Sequence, residues 1–364
     1  MGDEATGHGE GSAIDGDAAT APVDGIDAAG MAAWFAANVP AAVPPLTYER
    51  IAGGHSNLTY RVTDGVGSEW ALRRPPLGKR LSSAHDMARE HRVVSALGTT
   101  PVPVAPVVGL CEDDSVNGAP FYVMDFVRGP VLRGTSEAEA AFPDEGDRAE
   151  IGMRVADTLA AIHAVDPDAV GLGDLGRKED YVARQLRRWY GQWEKSKTRE
   201  LAAIDRVHER LSARIPAQEG VSIVHGDYRL DNMILTDAGE VAAVVDWELC
   251  TLGDPLADVG TLIAYWPERG DGSLALGMPA NLLPGFPTRD ELTARYAEAS
   301  GRDLSELDFF VALGYWKLAI ILEGVYARYV GGGFGKFDVD AGIEQFARLV
   351  ERLAETAEEI ESRG

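Results

Sequence analysis

The sequence predicts an α+β protein of two lobes, a small one built on an antiparallel sheet and a larger one that is mainly helical. Between Thr47 and about Val131 the apolar residues come in short β-rich runs broken by Gly, Asp and Pro, whereas beyond Gly129 they recur at helical spacing. Length agrees, because 364 residues exceed the roughly 100–200 of one ordinary domain.

Residues 1 to about 27 are rich in Gly, Ala and Asp and nearly free of large apolar side chains, which predicts a disordered acidic tail. Residues 28–128 form the expected small lobe. It begins with a docking helix from Ala28 to Val39, in which Met31, Trp34 and Phe35 fall at helical spacing before Pro40. Strands are expected at Thr59 to Thr63, Trp70 to Arg73, Val104 to Leu110 and Phe121 to Phe126. A helix from Ala84 to Leu97, with Val93, Val94 and Leu97 as its apolar stripe, separates the second strand from the third. Residues 129–364 form the larger lobe. Its helices are expected at Ala149 to His163, Tyr181 to Ser196, Glu200 to Ile215, Arg289 to Ala299, Leu307 to Tyr329 and Ala341 to Ser362, with short buried strands at Val221 to Val224 and Val241 to Val245.

Hydrophobic residues make up 45 % and charged residues 25 % of the chain, as in ordinary globular proteins. No apolar run approaches the roughly 20 residues of a membrane span, and the N-terminus lacks a secretory pattern, so a cytoplasmic protein is expected. Cys111 and Cys250 have no metal-binding spacing and read as small buried thiols. The formal charge of −24 disfavours nucleic acid and anionic membranes as partners; it would attract a cationic substrate, but a solubilising surface is the favoured reading. A monomer or homodimer is expected.

Residues Val224 to Asp258, VHGDYRLDNMILTDAGEVAAVVDWELCTLGDPLAD, carry the chemistry. Asn232 follows Asp227 by five residues, and Asp246 ends the apolar run Val241 to Val245. Phosphoryl transfer needs placement and charge more than covalent steps: a carboxylate to receive the hydroxyl proton and oxygen ligands for magnesium. An Asn and an Asp at the rim of a site suit that ion.

HGDxxxxN followed by a strand ending in Asp resembles the catalytic loop and metal aspartate of the aminoglycoside phosphotransferase and choline kinase superfamily, distant relatives of protein kinases. GGHSNLTYRV, WALRRPP, REHRVVSAL, PFYVMDF, HGDYRLDNMIL and DWELCTLGDPLAD are similar, closer still, to the kinase-like domain fused to some acyl-CoA dehydrogenases and to related bacterial phosphotransferases. The resemblance runs from about Gly53 to Asp258 and implies a bilobal protein-kinase-like fold, ATP or GTP as donor, and Mg2+.

It also implies roles. Asp227 would be the base, Asn232 and Asp246 the magnesium ligands, and Arg229 a cation near the transferring phosphoryl group. Gly53, Gly54, His55, Ser56 and Asn57 would form the phosphate lid. Arg73, where relatives usually carry lysine, would pair the phosphates and be braced by Glu90; strand alternation favours Arg73 over Arg74 as the cleft-facing residue. Met124, Asp125 and Val127 would meet the nucleobase at the hinge. His225, Asp254 and Asp258 read as structural supports. Tyr265, Trp266, Trp316, Glu323, Tyr326 and Tyr329 are candidates for the acceptor pocket, with aromatic core packing as the competing reading, and residues 270–287 for a lid. The expected activity is phosphorylation of a small hydroxylated molecule, a metabolic hydroxy compound or an aminoglycoside or macrolide antibiotic. The alternatives are a nucleotide-binding scaffold without turnover and a protein kinase. WELCTLGDP after Asp246 disfavours the last, because protein kinases carry a Gly two positions on.

Overall fold

The computed structural model describes residues 23–51, 57–78, 86–218, 220–271, 278–330 and 339–363. The first lobe opens with helix α1 (Ala28–Asn38), capped by the Asp27 side chain accepting from Gly30 N. The strands are β1 (Thr47–Arg50), β2 (Leu58–Thr63), β3 (Glu69–Arg74), β4 (Val107–Cys111) and β5 (Phe121–Asp125), with helix α2 (Met87–Leu97) after β3 and the single turn α3 (Asp114–Asn117) after β4. They pair antiparallel in the order β1-β2-β3-β5-β4.

Alternation along the strands gives the sheet two distinct faces. Trp70 and Leu72 of β3 join Phe121 and Val123 of β5 under α1, where Trp34 meets Phe121 edge-on at 5.2 Å and Phe35 meets Trp70 at 5.4 Å. Ala71, Arg73, Tyr122 and Met124 lie on the other face and line a cleft. The expected tail is shorter at its C-terminal end than the sequence suggests. Residues 1–22 lie outside the described residues, but Val23 and Ile26 pack on the sheet, and Tyr60 Oη donates to Asp24 O at 2.7 Å.

The second lobe contains α4 (Thr135–Ala141), α5 (Glu145–Ala164), α6 (Tyr181–Ser196) and α7 (Ala202–Ala213). Two small hairpin-like pairs follow, β6 (Ser222–Val224) with β9 (Thr251–Gly253) and β7 (Met233–Leu235) with β8 (Val241–Val244). Helices α8 (Leu256–Ala264), α9 (Arg289–Ser300), α10 (Leu307–Val330) and α11 (Val339–Glu361) complete it. The differences from expectation have local causes. β1 reads TYER with an almost wholly exposed pattern, and β7 and β9 are three residues long, too short for a periodic signal. The strand expected from Val104 starts at Val107 because Pro106 has no N–H to donate. The helix expected from Ala84 is capped by Asp86, whose side chain accepts from Arg89 N at 2.9 Å; residues 79–85 lie outside the described residues.

Against the expectation that no segment reaches spanning length, α10, with 24 residues, is long and apolar enough to cross a membrane, but 67 % of its most apolar window is buried inside the protein. It is the central helix of the second core, packed on α8 and α11. The α8–α10 crossing is made of bare backbone: a Cβ on Gly260 would lie 2.1 Å from Phe310 O, and one on Gly314 2.5 Å from Gly260 O. Gly314→Ala is therefore expected to cost about 2 kcal/mol by overpacking and to lower the thermal denaturation midpoint; an unchanged midpoint would contradict this crossing.

Candidate active site

Strand β3 sends consecutive arginines to opposite faces. Arg74 lies under the N-terminal segment, where its guanidinium donates to Gly25 O and, at 3.0 Å, to Asn117 O. Arg73 points into the cleft between cross-strand neighbours Thr59 and Tyr122. Its Nε donates to Glu90 at 2.9 Å and its Nη2 to Asp246 at 2.5 Å, with Glu248 3.9 Å away. The Asn57 amide donates to Glu248 at 3.0 Å and to Glu90 at 3.4 Å. One cation thus holds three carboxylates from both lobes. Burial lifts the Glu90 carboxyl to about 6, outweighing the pull of Arg73; Glu90 and Asp246 in turn outweigh the burial of Arg73 and keep it charged.

The loop after β6 is suspended from one carboxylate. Asp258, buried on α8, accepts from His225 N at 2.6 Å and Gly226 N at 2.8 Å, and His163 Nε2 lies 3.4 Å from it. Burial works against its charge, but the His163 contact, the His225 charge and the Gly226 amide outweigh this and hold its carboxyl below the usual range. His225 bridges to the end of β8: Nε2 meets Val245 O at 3.1 Å, while Nδ1 accepts from Asp227 N at 3.2 Å. Both ring nitrogens are thereby engaged inside the protein. Gly226 has φ of 84°, and a Cβ there would sit 3.0 Å from Leu249 O, so the turn that presents Asp227 requires glycine.

Asn232 ties the two acidic positions together. Its Nδ2 donates to Asp227 O at 2.8 Å and Asp227 Oδ2 at 3.1 Å, and its backbone carbonyl accepts from Val245 N at 2.9 Å, one residue before Asp246. With both bonds made by Nδ2, Oδ1 remains as a donor to a cation. Asp246 adopts φ 68°, ψ 57°, a left-handed backbone that costs a non-glycine residue on the order of 1 kcal/mol and recurs at functional sites. Arg229 pairs with Asp231 at 2.9 Å, stands 3.6 Å from Asp227 and covers the Tyr265 ring at 4.8 Å. Amide oxygen plus carboxylate is a hard donor set of the kind Mg2+ takes.

The cleft has a volume of about 490 Å³. Its apolar walls include Ala71, Val94, Ala105, Val131, Ile234 and Val244, and its polar end holds Arg73, Glu90, Arg229, Asn232 and Asp246. Asn57, Met124, Asp125 and Val127 line it as well. Asp125 N donates to Pro106 O at 2.8 Å, whereas among the described residues no hydrogen bond uses Val127 N–H. Gly53, Gly54, His55 and Ser56 lie outside the described residues. Asp254 supports the start of α8, accepting from Leu256 N at 3.0 Å.

Most of the aromatic acceptor candidates are core. Trp266 donates to Pro287 O and Trp316 to Ile204 O, and Glu323 is buried against Thr198 N at 2.9 Å. Tyr326 lies under Arg199 and Tyr329 against Phe346. Of the six, Tyr265 alone has a described contact with the catalytic loop. Of the proposed lid, residues 272–277 lie outside the described residues.

Sequence reasoning missed Glu248, Tyr122 and Lys317. Glu248 could have been found from its place two residues after Asp246; Lys317 reaches Gly226 O at 2.6 Å across 91 positions and left no local signal.

The Glu90 shift has a pH consequence. Its folded value lies above the ordinary 4.5 of a glutamate, so its stabilising contribution is fully present below that value and is lost as pH rises through about 6. The ion pair with Arg73 runs the other way, forming as pH rises through about 6. Nucleotide affinity, measured by titration calorimetry, is expected to weaken from pH 7 to pH 5 with a midpoint near 6, and this step is expected to vanish in Glu90→Gln. A step that survives in Glu90→Gln would contradict the assignment.

The comparisons with known proteins agree with this architecture. Residues 47–298 match the phosphotransferase enzyme family. Acyl-CoA dehydrogenase family member 10 of Mus musculus is 34 % identical over 319 residues, covering 86 % of this chain and 29 % of the mouse protein. The chain therefore spans under a third of that relative. A crystal structure from Ralstonia eutropha, assigned as an aminoglycoside phosphotransferase, shares 32 % identity with a TM-score of 0.77 over 93 % of this chain and 99 % of that one. Amicoumacin kinase in complex with AMP-PNP, Ca2+ and Ami shares the fold at 16 % identity and a TM-score of 0.56 over 86 % of this chain and 90 % of that one. With a two-lobed kinase-like fold, a match over most of its length and relatives above 30 % identity, the chain belongs to the phosphotransferase enzyme family.

Proposed function

We propose that this protein transfers the γ-phosphoryl group of ATP or GTP to the hydroxyl of a small molecule. The observation that carries the reading is the hydrogen-bonded linkage of Asp227, Asn232 and the Val245–Asp246 segment at the polar end of a nucleotide-sized cleft. The nucleobase fits the apolar walls, with Val127 N–H as a donor at the hinge, and Arg73 pairs the phosphates. Asn232 Oδ1 and the Asp246 carboxylate would hold Mg2+, which supplies charge neutralisation to the phosphates when bound. Asp227 orients the acceptor hydroxyl and receives its proton as the oxygen bonds to the γ-phosphorus; the bond to the bridging oxygen breaks and the nucleoside diphosphate leaves. Arg229 stands where charge develops on the transferring group.

A competing reading is a nucleotide-binding scaffold without turnover. It draws support from the Arg73–Asp246 ion pair, which occupies a metal-holding carboxylate with a protein cation. The retained Asp227 and Asn232 favour the enzyme. A labelled-phosphate assay against hydroxylated metabolites, antibiotics and proteins separates the readings: label on small molecules supports the proposal, label on protein or on nothing overturns it. Asp227→Ala is expected to lose at least ~100-fold in turnover while keeping nucleotide affinity; near-normal turnover would refute the base assignment.

A further inference from the structure

The peptide unit that carries Asp227 is held at both of its polar ends. Its N–H, from Asp227, donates to His225 Nδ1 at 3.2 Å, and its carbonyl, from Gly226, accepts from Lys317 Nζ of α10 at 2.6 Å. The peptide before it is held as well, since Gly226 N donates to Asp258 at 2.8 Å. Gly226 makes a left-handed turn with no side chain of its own to restrain it, so these three contacts orient the two peptide planes around it.

Lys317 reaches the loop because α8 and α10 approach closely. Gly314, one turn earlier on α10, lets the two backbones meet, its Cβ position lying 2.5 Å from Gly260 O. The lysine stem then passes Trp189 of α6, with Nζ 5.5 Å from the ring centroid, and borders a cavity of about 20 Å³ walled also by Gln185, Asp258 and Thr261. That space has room for a water and for no substrate.

Burying an ammonium against a neutral carbonyl is costly. Burial lowers the Lys317 pKa and the Arg188 charge of α6 adds to this, while Asp227 and Asp258 oppose it. A hydroxyl or an amide would satisfy Gly226 O at less cost. The ammonium adds a charge-assisted bond, made close to the carboxylate that suspends the loop and the carboxylate that the loop presents.

We propose that Lys317 is a positioning residue for Asp227: by fixing the Gly226 carbonyl from a helix 91 positions away, it sets the direction in which the Asp227 carboxylate meets the acceptor hydroxyl. This rests on the phosphotransferase reading and deepens it. Lys317 does not line the nucleotide cleft, so its loss acts on the transfer step and leaves donor binding alone.

The test measures transfer of labelled phosphate from ATP to the hydroxylated compounds and to water in Lys317→Met and Lys317→Ala. Both variants are expected to lose at least about tenfold in kcat with the KM for ATP unchanged. Propylammonium supplies the carbons and the nitrogen that truncation to alanine removes. It is expected to restore kcat in Lys317→Ala and not in Lys317→Met, whose side chain fills the same channel. Unchanged kcat in a folded variant, a loss carried by the KM for ATP, or no rescue of a folded Lys317→Ala overturns the proposal. Methionine keeps the apolar stem, so Lys317→Met decides if Lys317→Ala fails to fold. Label transferred to nothing by the wild-type protein counts against the phosphotransferase reading, and backbone amide exchange then decides the clamp separately. Faster exchange at Asp227 in Lys317→Met, with the α10 amides still protected, supports the clamp; unchanged exchange at Asp227 overturns it.

Discussion

The site is organised around one buried cation. Arg73 holds Glu90 of its own lobe and Asp246 of the other, with Glu248 nearby, so the relative position of the lobes is set by an ion cluster at the polar end of the cleft. Such a cluster is costly to break, since removing the cation leaves buried carboxylates uncompensated. Helix α2 is held from its other side as well: Arg89 donates to Leu175 O and Cys250 O, both at 2.7 Å. Glu90 is therefore fixed to the second lobe by its own helix, one residue away. Glu90 thereby holds Arg73 at the polar end of the cleft, from which the proposed pairing with phosphates would follow once its contact with Asp246 opens.

The second lobe is organised by an anion. Asp258 receives the two amides that start the catalytic loop and contacts His163 behind it, so α5, α8 and the loop share one buried carboxylate. Its three contacts suit a structural role, and His225 has both ring nitrogens committed to backbone. Asp227, by contrast, keeps 26 % of its side chain exposed and faces Arg229 at 3.6 Å, the placement expected of a group that must meet a substrate. The loop is tied down at Asp258 and open at Asp227.

Much of this was legible in the chain, for specific reasons. WALRR alternates, so Arg73 and Arg74 had to part to opposite faces, and the structure separates them so. HGDYRLDN was legible because a short loop holds both the carboxylate and the amide, and the local chain brings them within 3.1 Å. Met31, Trp34 and Phe35 announced a docking helix because they fall at helical spacing and the pattern stops before Pro40. The rest depended on distance in sequence or on brevity. β1, β7 and β9 are too short or too polar to show a period. Lys317 is aimed by the glycine contact between α8 and α10, one turn earlier, and nothing near residue 317 reveals that helix's neighbour. Pocket and core could not be separated in the sequence for the aromatic residues of the second lobe, since Trp266 and Trp316 look alike as either until their indole N–H groups are seen donating to buried carbonyls.

A crystal structure with a non-hydrolysable nucleoside triphosphate analogue and Mg2+ tests the central claim most directly. The account predicts that Arg73 keeps Glu90, leaves Asp246 and pairs with the phosphates, with the ion held by Asn232 and Asp246. A nucleotide bound elsewhere, or an Arg73 still closed on Asp246 with the ion held by other residues, would contradict it.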